Sequence, residues 1–213
     1  FYRADDGQNY RLVTNGNFKL ISDFEFGQQQ EKGRVERTKT NARRARRRVG
    51  EFVDGGIKGK KKGLVLLVSF RDKDFVTPDP QTVFNDFFNL DGYSYNGMGG
   101  SVADYFRVQS YGQLDVDFDV VGPYKLSKNM GYYGGNDASG SDSAPQVMAE
   151  EACRLANPDV NYADYDWNND GEVDQVFFIY AGFGENYGAE PNTIWPHAFY
   201  LPEGVQLDYM KLN

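Results

Sequence analysis

Leu64-Val65-Leu66-Leu67-Val68-Ser69-Phe70 is a continuous apolar run bounded by charge on both sides. A strand with one wet face alternates apolar and polar residues; a run without alternation needs cover on both faces. Working outward, Leu114-Asp115-Val116-Asp117-Phe118-Asp119-Val120 alternates strictly, so it predicts a strand with one apolar face and a row of aspartates on the other. Gln175 to Tyr180 is a short run of aromatic and β-branched residues that reads as a buried strand. Helices are expected between these strands. Residues 82–90 form one. Ser101-Val102-Ala103-Asp104 has capping-box spacing, and the helix it opens packs through Phe106 and stops at Gly112. Ser143 caps a third helix, with Pro145 in the first turn, Gln146 at the capping-box position and Asn157-Pro158 as the stop. The order strand, helix, helix, strand, helix, strand predicts an α/β fold with a mixed sheet and packing helices, and no internal repeat suggests a solenoid.

The chain of 213 residues is 40% hydrophobic and 15% aromatic, which is globular composition, and no run reaches the length of a membrane span. A lone Cys153 cannot form an intrachain disulfide; beside Ala152 and Ala156 it reads as a small core residue. The net charge of −8 is unevenly distributed: residues 32–62 hold 13 of the 23 Lys and Arg against Glu36, Glu51 and Asp54. Basic blocks such as Arg43-Arg44-Ala45-Arg46-Arg47-Arg48 lack interleaved aromatics and any nucleic-acid module. Residues 49–62 are therefore read as a solvated, Gly-rich basic linker and a natural site of nicking by a processing protease, without a nucleic-acid partner. Before it, Tyr10–Thr14 and Asn17–Ile21 flank Asn15-Gly16, a dipeptide suited to a type I′ hairpin turn.

Asp166-Trp167-Asn168-Asn169-Asp170-Gly171-Glu172-Val173-Asp174 places oxygen side chains at alternate positions around a turn glycine. This is the spacing of a calcium loop, with Asp166, Asn168, Asp170 and Asp174 as side-chain ligands and Glu172 contributing its carbonyl. The EF-hand pattern then breaks, because Phe177 stands where the bidentate Glu belongs and a strand follows in place of a helix. A metal-free Asx-turn is the other reading. The Asp115, Asp117 and Asp119 row reads as a solvated strand face, with a second metal site as the alternative. Glu185, in the Gly-rich stretch after Tyr180, is a solvated turn residue or a further metal or cleft residue. His197 is expected to donate to a backbone carbonyl beside an aromatic wall formed at Trp195, with a substrate contact as the alternative.

Several ordered pieces resemble the secreted immune-inhibitor-A-like zinc metallopeptidases, peptidase family M-six. They are Val65 to Asp72 with Phe75, Ser101 to Phe106 with Ser110 to Leu114, Val121 to Tyr124, Tyr132 to Gly135, Asp164 to Asp174, Ile179 to Gly182 with Gly184-Glu185, and Thr193 to His197. The resemblance implies a zincin-like catalytic domain over residues 63–213 and a propeptide tail with a β-hairpin over 1–48. It also implies secretion, protein or peptide substrates, and peptide-bond hydrolysis by water activated on Zn²⁺ held in a HExxH helix. No HExxH occurs in the sequence, so the expectation is a fragment of a longer peptidase, inactive alone, with Ca²⁺ as its own structural ion and Zn²⁺ only in the complete protein. No zinc role transfers to His197. A non-catalytic, calcium-stabilised binding or adhesion domain is the alternative.

Overall fold

β4 (Gly59–Ser69) is the middle strand of a sheet, flanked by β5 (Leu114–Lys125) and β7 (Val176–Tyr180) and parallel to both. The structure, a computed structural model, describes residues 57–212 except Ser139, Pro202 and Glu203, together with the short strands β1 (Tyr2–Arg3), β2 (Asn9–Leu12) and β3 (Phe18–Ile21). Most of the basic stretch, including Arg43 to Arg48, lies outside the described residues, as does the Asn15-Gly16 turn.

The central position of β4 explains its unbroken apolar run. Leu64, Leu66, Val68 and Phe70 enter one core, where they meet Met148, Ala149, Ala152, Cys153 and Ala156 of α4 (Pro145–Ala156) together with Tyr133, Tyr162 and Tyr165. Val65 and Leu67 enter a second core on the opposite face, against Phe88 of α1 (Pro80–Asn89), Ala103 of α2 (Val102–Gln109) and Val116, Phe118 and Val120 of β5. Helices thus cover both faces of the sheet, as an α/β fold requires. Cys153 is buried and free, and burial pushes its thiol up to about 12, so it is a packing residue and not a nucleophile.

Local signals account for the helix starts, with one exception. Ser101 and Asp104 form the expected capping box: Asp104 N–H donates to Ser101 Oγ at 3.2 Å and Ser101 N–H to Asp104 Oδ2 at 3.0 Å. Asp79 caps α1 by accepting from Thr82 N–H, with Pro80 at the first helical position. At α4 the expected Ser143 cap does not form. Ala144 is the cap residue, and Ser143 instead donates its hydroxyl to Tyr132 O at 3.1 Å, pinning the loop from the short α3 (Met130–Gly134).

Three finer expectations are corrected. Among the described residues the strands of the main sheet run parallel, and the mixed sheet is a second one, in which β9 (Met210–Leu212) pairs parallel with β6 (Glu172–Val173) and antiparallel with β8 (Val205–Leu207). β7 is half-buried and not buried, because it is the edge of the described main sheet. β4 begins at Gly59, so Lys60, Lys61 and Lys62, assigned to the linker by their charge, are strand residues, with Lys60 opposite Asp115, Lys61 opposite Val116 and Lys62 opposite Asp117 of β5. Lys62 Nζ lies 3.1 Å from Asp119 and 3.7 Å from Asp164, so cross-strand attraction holds lysines in a strand that composition alone disfavours. In the N-terminal sheet a third strand, β1, joins the hairpin, and Leu12 pairs with Phe18.

The second core is built on rings. Phe118 lies 5.1 Å from Phe88, 5.8 Å from Phe177 and 6.0 Å from Phe106, centroid to centroid. Gly63 makes room for this ring: a Cβ there would stand 2.4 Å from Phe118 Cδ1. Gly63→Ala is therefore expected to destabilise the protein by about 1–3 kcal/mol in urea unfolding, although Gly to Ala in a strand is ordinarily favourable. The cost should shrink in a Phe118→Leu background; an equal cost in both backgrounds would show that the ring is not what the methyl meets.

Candidate functional site

The loop from Asp166 to Asp174 is positioned by both sheets. It leaves the 3₁₀ turn Tyr162–Tyr165, whose Tyr165 hydroxyl donates to Asp119 Oδ2 at 2.8 Å, and it runs into β6 and then β7. Trp167 Nε1–H donates to Lys62 O at 2.6 Å, and Lys61 Nζ donates to Trp167 O. Lys211 N–H donates to Gly171 O at 3.0 Å, tying the loop to β9. Within the loop the oxygens turn inward onto backbone amides. Asp166 accepts from Asp170 N–H at 3.2 Å and Gly171 N–H at 2.9 Å, Asn168 from Asp170 N–H at 3.0 Å, Asp170 from Glu172 N–H at 2.9 Å, and Asp174 from Trp167 N–H at 2.6 Å. Gly171 has φ of +85°, the left-handed turn expected of a loop glycine.

The five sequence-identified positions, Asp166, Asn168, Asp170, Glu172 and Asp174, thus share one closed turn. Glu172 directs its carboxylate away, 3.4 Å from Lys211 Nζ. The donor set is hard oxygen throughout, the type calcium takes. Among the described residues, however, no three His, Cys, Asp or Glu side chains are gathered into a metal cage, so in this structure the loop is a ladder of Asx-type hydrogen bonds. The aspartates of β5 form no such group either. Asp115 pairs with Arg107 at 3.2 Å and Asp119 with Lys62, while Asp117 is exposed, so the row is a partly ion-paired face and not a uniformly solvated one.

A second polar cluster lies at the other end of β7. The Asp142 side chain is 2% exposed; its Oδ2 accepts from Trp195 N–H at 3.0 Å and lies 3.7 Å from His197 Nδ1, and its Oδ1 makes no hydrogen bond. His197 Nδ1 sits 2.5 Å from Trp195 O, so it carries the proton and donates, as the sequence suggested. Trp195 to His197 belong to no strand. Glu185 opens the short turn Glu185–Tyr187 and accepts from Asn136 Nδ2 at 3.0 Å, so it is half-buried and fixed and not a solvated turn residue. Sequence reasoning missed Asp142, which sits in a Gly, Asn, Asp and Ser stretch where one buried carboxylate looks like any other loop residue.

Zinc does not fit the residues present. His197 is the only histidine, its Nδ1 is engaged by a carbonyl, and Cys153 is a buried, protonated thiol. Electrostatics single out the Asp142 cluster instead. Burial raises the Asp142 carboxyl above its ordinary value, against the opposing pull of Trp195 N–H and His197. Burial, then the Asp142 charge, raises Glu185, and burial with both carboxylates pushes Tyr180 up to about 12. A carboxyl with a raised folded-state pKa contributes stability that is present below its unfolded value and lost as pH rises through the folded one. In calcium-free buffer the parent is expected to lose stability relative to Asp142→Asn between acid and neutral pH. Parallel pH profiles of the two proteins would contradict it.

Residues 50–209 match the immune inhibitor A peptidase M6 catalytic domain. The chain is 28% identical over 196 residues to the pre-pro-metalloprotease PrtV of Vibrio cholerae serotype O1, to the same extent in strains M66-2 and ATCC 39315 / El Tor Inaba N16961. These alignments cover 76% of this chain and 21% of the relatives, so the chain spans about a fifth of the length of the curated relatives it matches. No helix among the described residues is long and apolar enough to cross a membrane. The match extends from the entry to β4 through both cores, the 166–174 loop and the Asp142 cluster, and on this ground the chain belongs to the immune inhibitor A peptidase M6 family.

Proposed function

We propose that residues 63–213 form the front part of the catalytic domain of a secreted, zinc-dependent endopeptidase acting on protein substrates. Residues 1–48 would belong to its propeptide, and the basic linker 49–62 would be cut by a processing protease. The observation that carries this reading is the family match over residues 50–209. The relatives' description as pre-pro-metalloproteases supports the propeptide and the export. Zinc would be held by residues other than these, because the 213 residues contain a single histidine and no HExxH. The role of this chain is then to build the two-cored parallel sheet on which a catalytic helix can rest. The protein from which the chain derives is expected to cleave casein, with activity lost to phenanthroline and restored by Zn²⁺, and the 213-residue chain alone to be inert. Chelator-insensitive cleavage, or none by the complete protein, would end the zinc-peptidase reading.

The 166–174 loop is proposed to bind a structural Ca²⁺ through Asp166, Asn168, Asp170, Asp174 and the Glu172 carbonyl. What supports this is the hard-oxygen set at alternate positions around Gly171 and the turn already closed by its own amides. Calcium would draw the loop carboxylates together and fix the start of β7. At calcium about 100-fold above its Kd, one such site adds about 2.7 kcal/mol to the folded state. Asp166→Ala is expected to lose this increment in thermal melts run with calcium and with chelator. An undiminished calcium increment in the variant would exclude the loop as the site.

A further inference from the structure

The Asp142 cluster points to a ligand that the loop reading does not supply. A carboxylate 98% removed from solvent, with one oxygen lacking a hydrogen bond among the described residues, is costly unless a proton or a cation neutralises it. The surroundings are rich in oxygen and poor in positive charge. The bare face of Gly184 is ringed by oxygens: a Cβ built there would lie 2.5 Å from Tyr180 Oη, 2.7 Å from Asn186 Oδ1 and 2.9 Å from Ile194 O. Backbone bonds hold these groups in one place. Glu185 N–H and the Tyr180 hydroxyl both donate to Ile194 O, at 3.1 Å each, and the next residue, Trp195, donates to Asp142. Asn136, which holds the Glu185 carboxylate, is paired with Asp142 in an antiparallel bridge, so the two acids are carried by directly apposed backbone. Among the described residues, the basic group paired with Asp142 is His197, which already donates Nδ1–H to Trp195 O.

We propose that Asp142 and Glu185, assisted by the Asn186 amide oxygen, bind a calcium-type divalent cation at the C-terminal end of β7, separate from the 166–174 loop. The free Asp142 Oδ1 and the Glu185 carboxylate supply the anionic ligands, and water completes the shell. All-oxygen donors in an irregular arrangement suit Ca²⁺ better than Zn²⁺, which takes nitrogen and sulfur, or Mg²⁺, which demands octahedral geometry. The cation would join the turn after β7 to the segment before α4, so that β7 is pinned at its end as the loop pins its start. This proposal does not rest on the peptidase reading.

The two tryptophans of the chain separate the two sites, since Trp167 lies in the loop and Trp195 donates to Asp142. Terbium, a luminescent stand-in for calcium, is titrated into the 213-residue chain with excitation where only tryptophan absorbs. In a Trp167→Phe background, calcium-displaceable emission is expected and should be lost on Asp142→Asn or Glu185→Gln. In a Trp195→Phe background the same two substitutions should leave emission intact, and Asp166→Ala should remove it. Equilibrium dialysis should find each of Asp142→Asn and Glu185→Gln binding one equivalent of Ca²⁺ fewer than the parent. Absence of emission in the Trp167→Phe protein, or emission and stoichiometry that survive both carboxylate changes, would overturn the proposal and leave Asp142 neutralised by a proton. Both replacements keep an oxygen for Trp195 N–H and Asn136 respectively, and near-ultraviolet circular dichroism matching the parent excludes misfolding as the cause of a loss.

Discussion

Leu64 to Phe70 send alternate side chains into two separate cores, so β4 keeps its place only while helices cover the sheet from both sides. Each fully buried Leu, Val or Phe on this strand removes about 1.5–3 kcal/mol of apolar exposure, and the run contributes to both cores at once. Everything else is arranged around that demand. α1 and α2 close one face and α4 closes the other, while β5 and β7 satisfy the backbone groups of β4 along its two edges.

Charge is organised on the same strand. β4 enters the sheet as Gly59-Lys60-Lys61-Lys62-Gly63, against an aspartate-bearing neighbour, before the apolar run begins. The lysines reach the Asp119 side chain and the Trp167 carbonyl, which couples the entry of the central strand to the 166–174 loop. Exposed ion pairs of this kind contribute little each. Their effect is on register, because a one-residue slip of β4 would separate Lys62 from Asp119 and turn Leu64 and Leu66 to the other face.

β7 connects the core to both polar sites. Its first residue follows the 166–174 loop and its last, Tyr180, donates to Ile194 O beside Asp142. As the edge of the described sheet it has less packing to hold it than β4, so its ends depend on polar contacts. The C-terminal edge of parallel strands is where α/β proteins place their clefts. Phe183, Tyr187 and Trp195, in the segments that follow β7, are exposed.

The strands β4, β5 and β7, the capping box at Ser101 and the five loop oxygens were all legible in the sequence, because each is a short-range pattern of periodicity, cap chemistry or turn spacing. The resemblance to a peptidase family was legible too, since it lies in ordered motifs. Other features were not. Nothing local distinguishes Lys60 to Lys62 in a strand from lysines in a linker, because the difference is the aspartates of β5 more than 50 residues away. The β8–β9 hairpin turns on Asp208 and Tyr209, both at positive φ, without the Asn-Gly signal that marks such turns. Asp142 is an ordinary loop residue until Trp195 and His197 close over it. The sequence by itself determined which segments form the strands of the main sheet and which oxygens alternate around Gly171, because neighbours along the chain decide those. The tertiary structure alone decided which carboxylates are stripped of water and brought together, because desolvation depends on what packs against a group from distant parts of the chain.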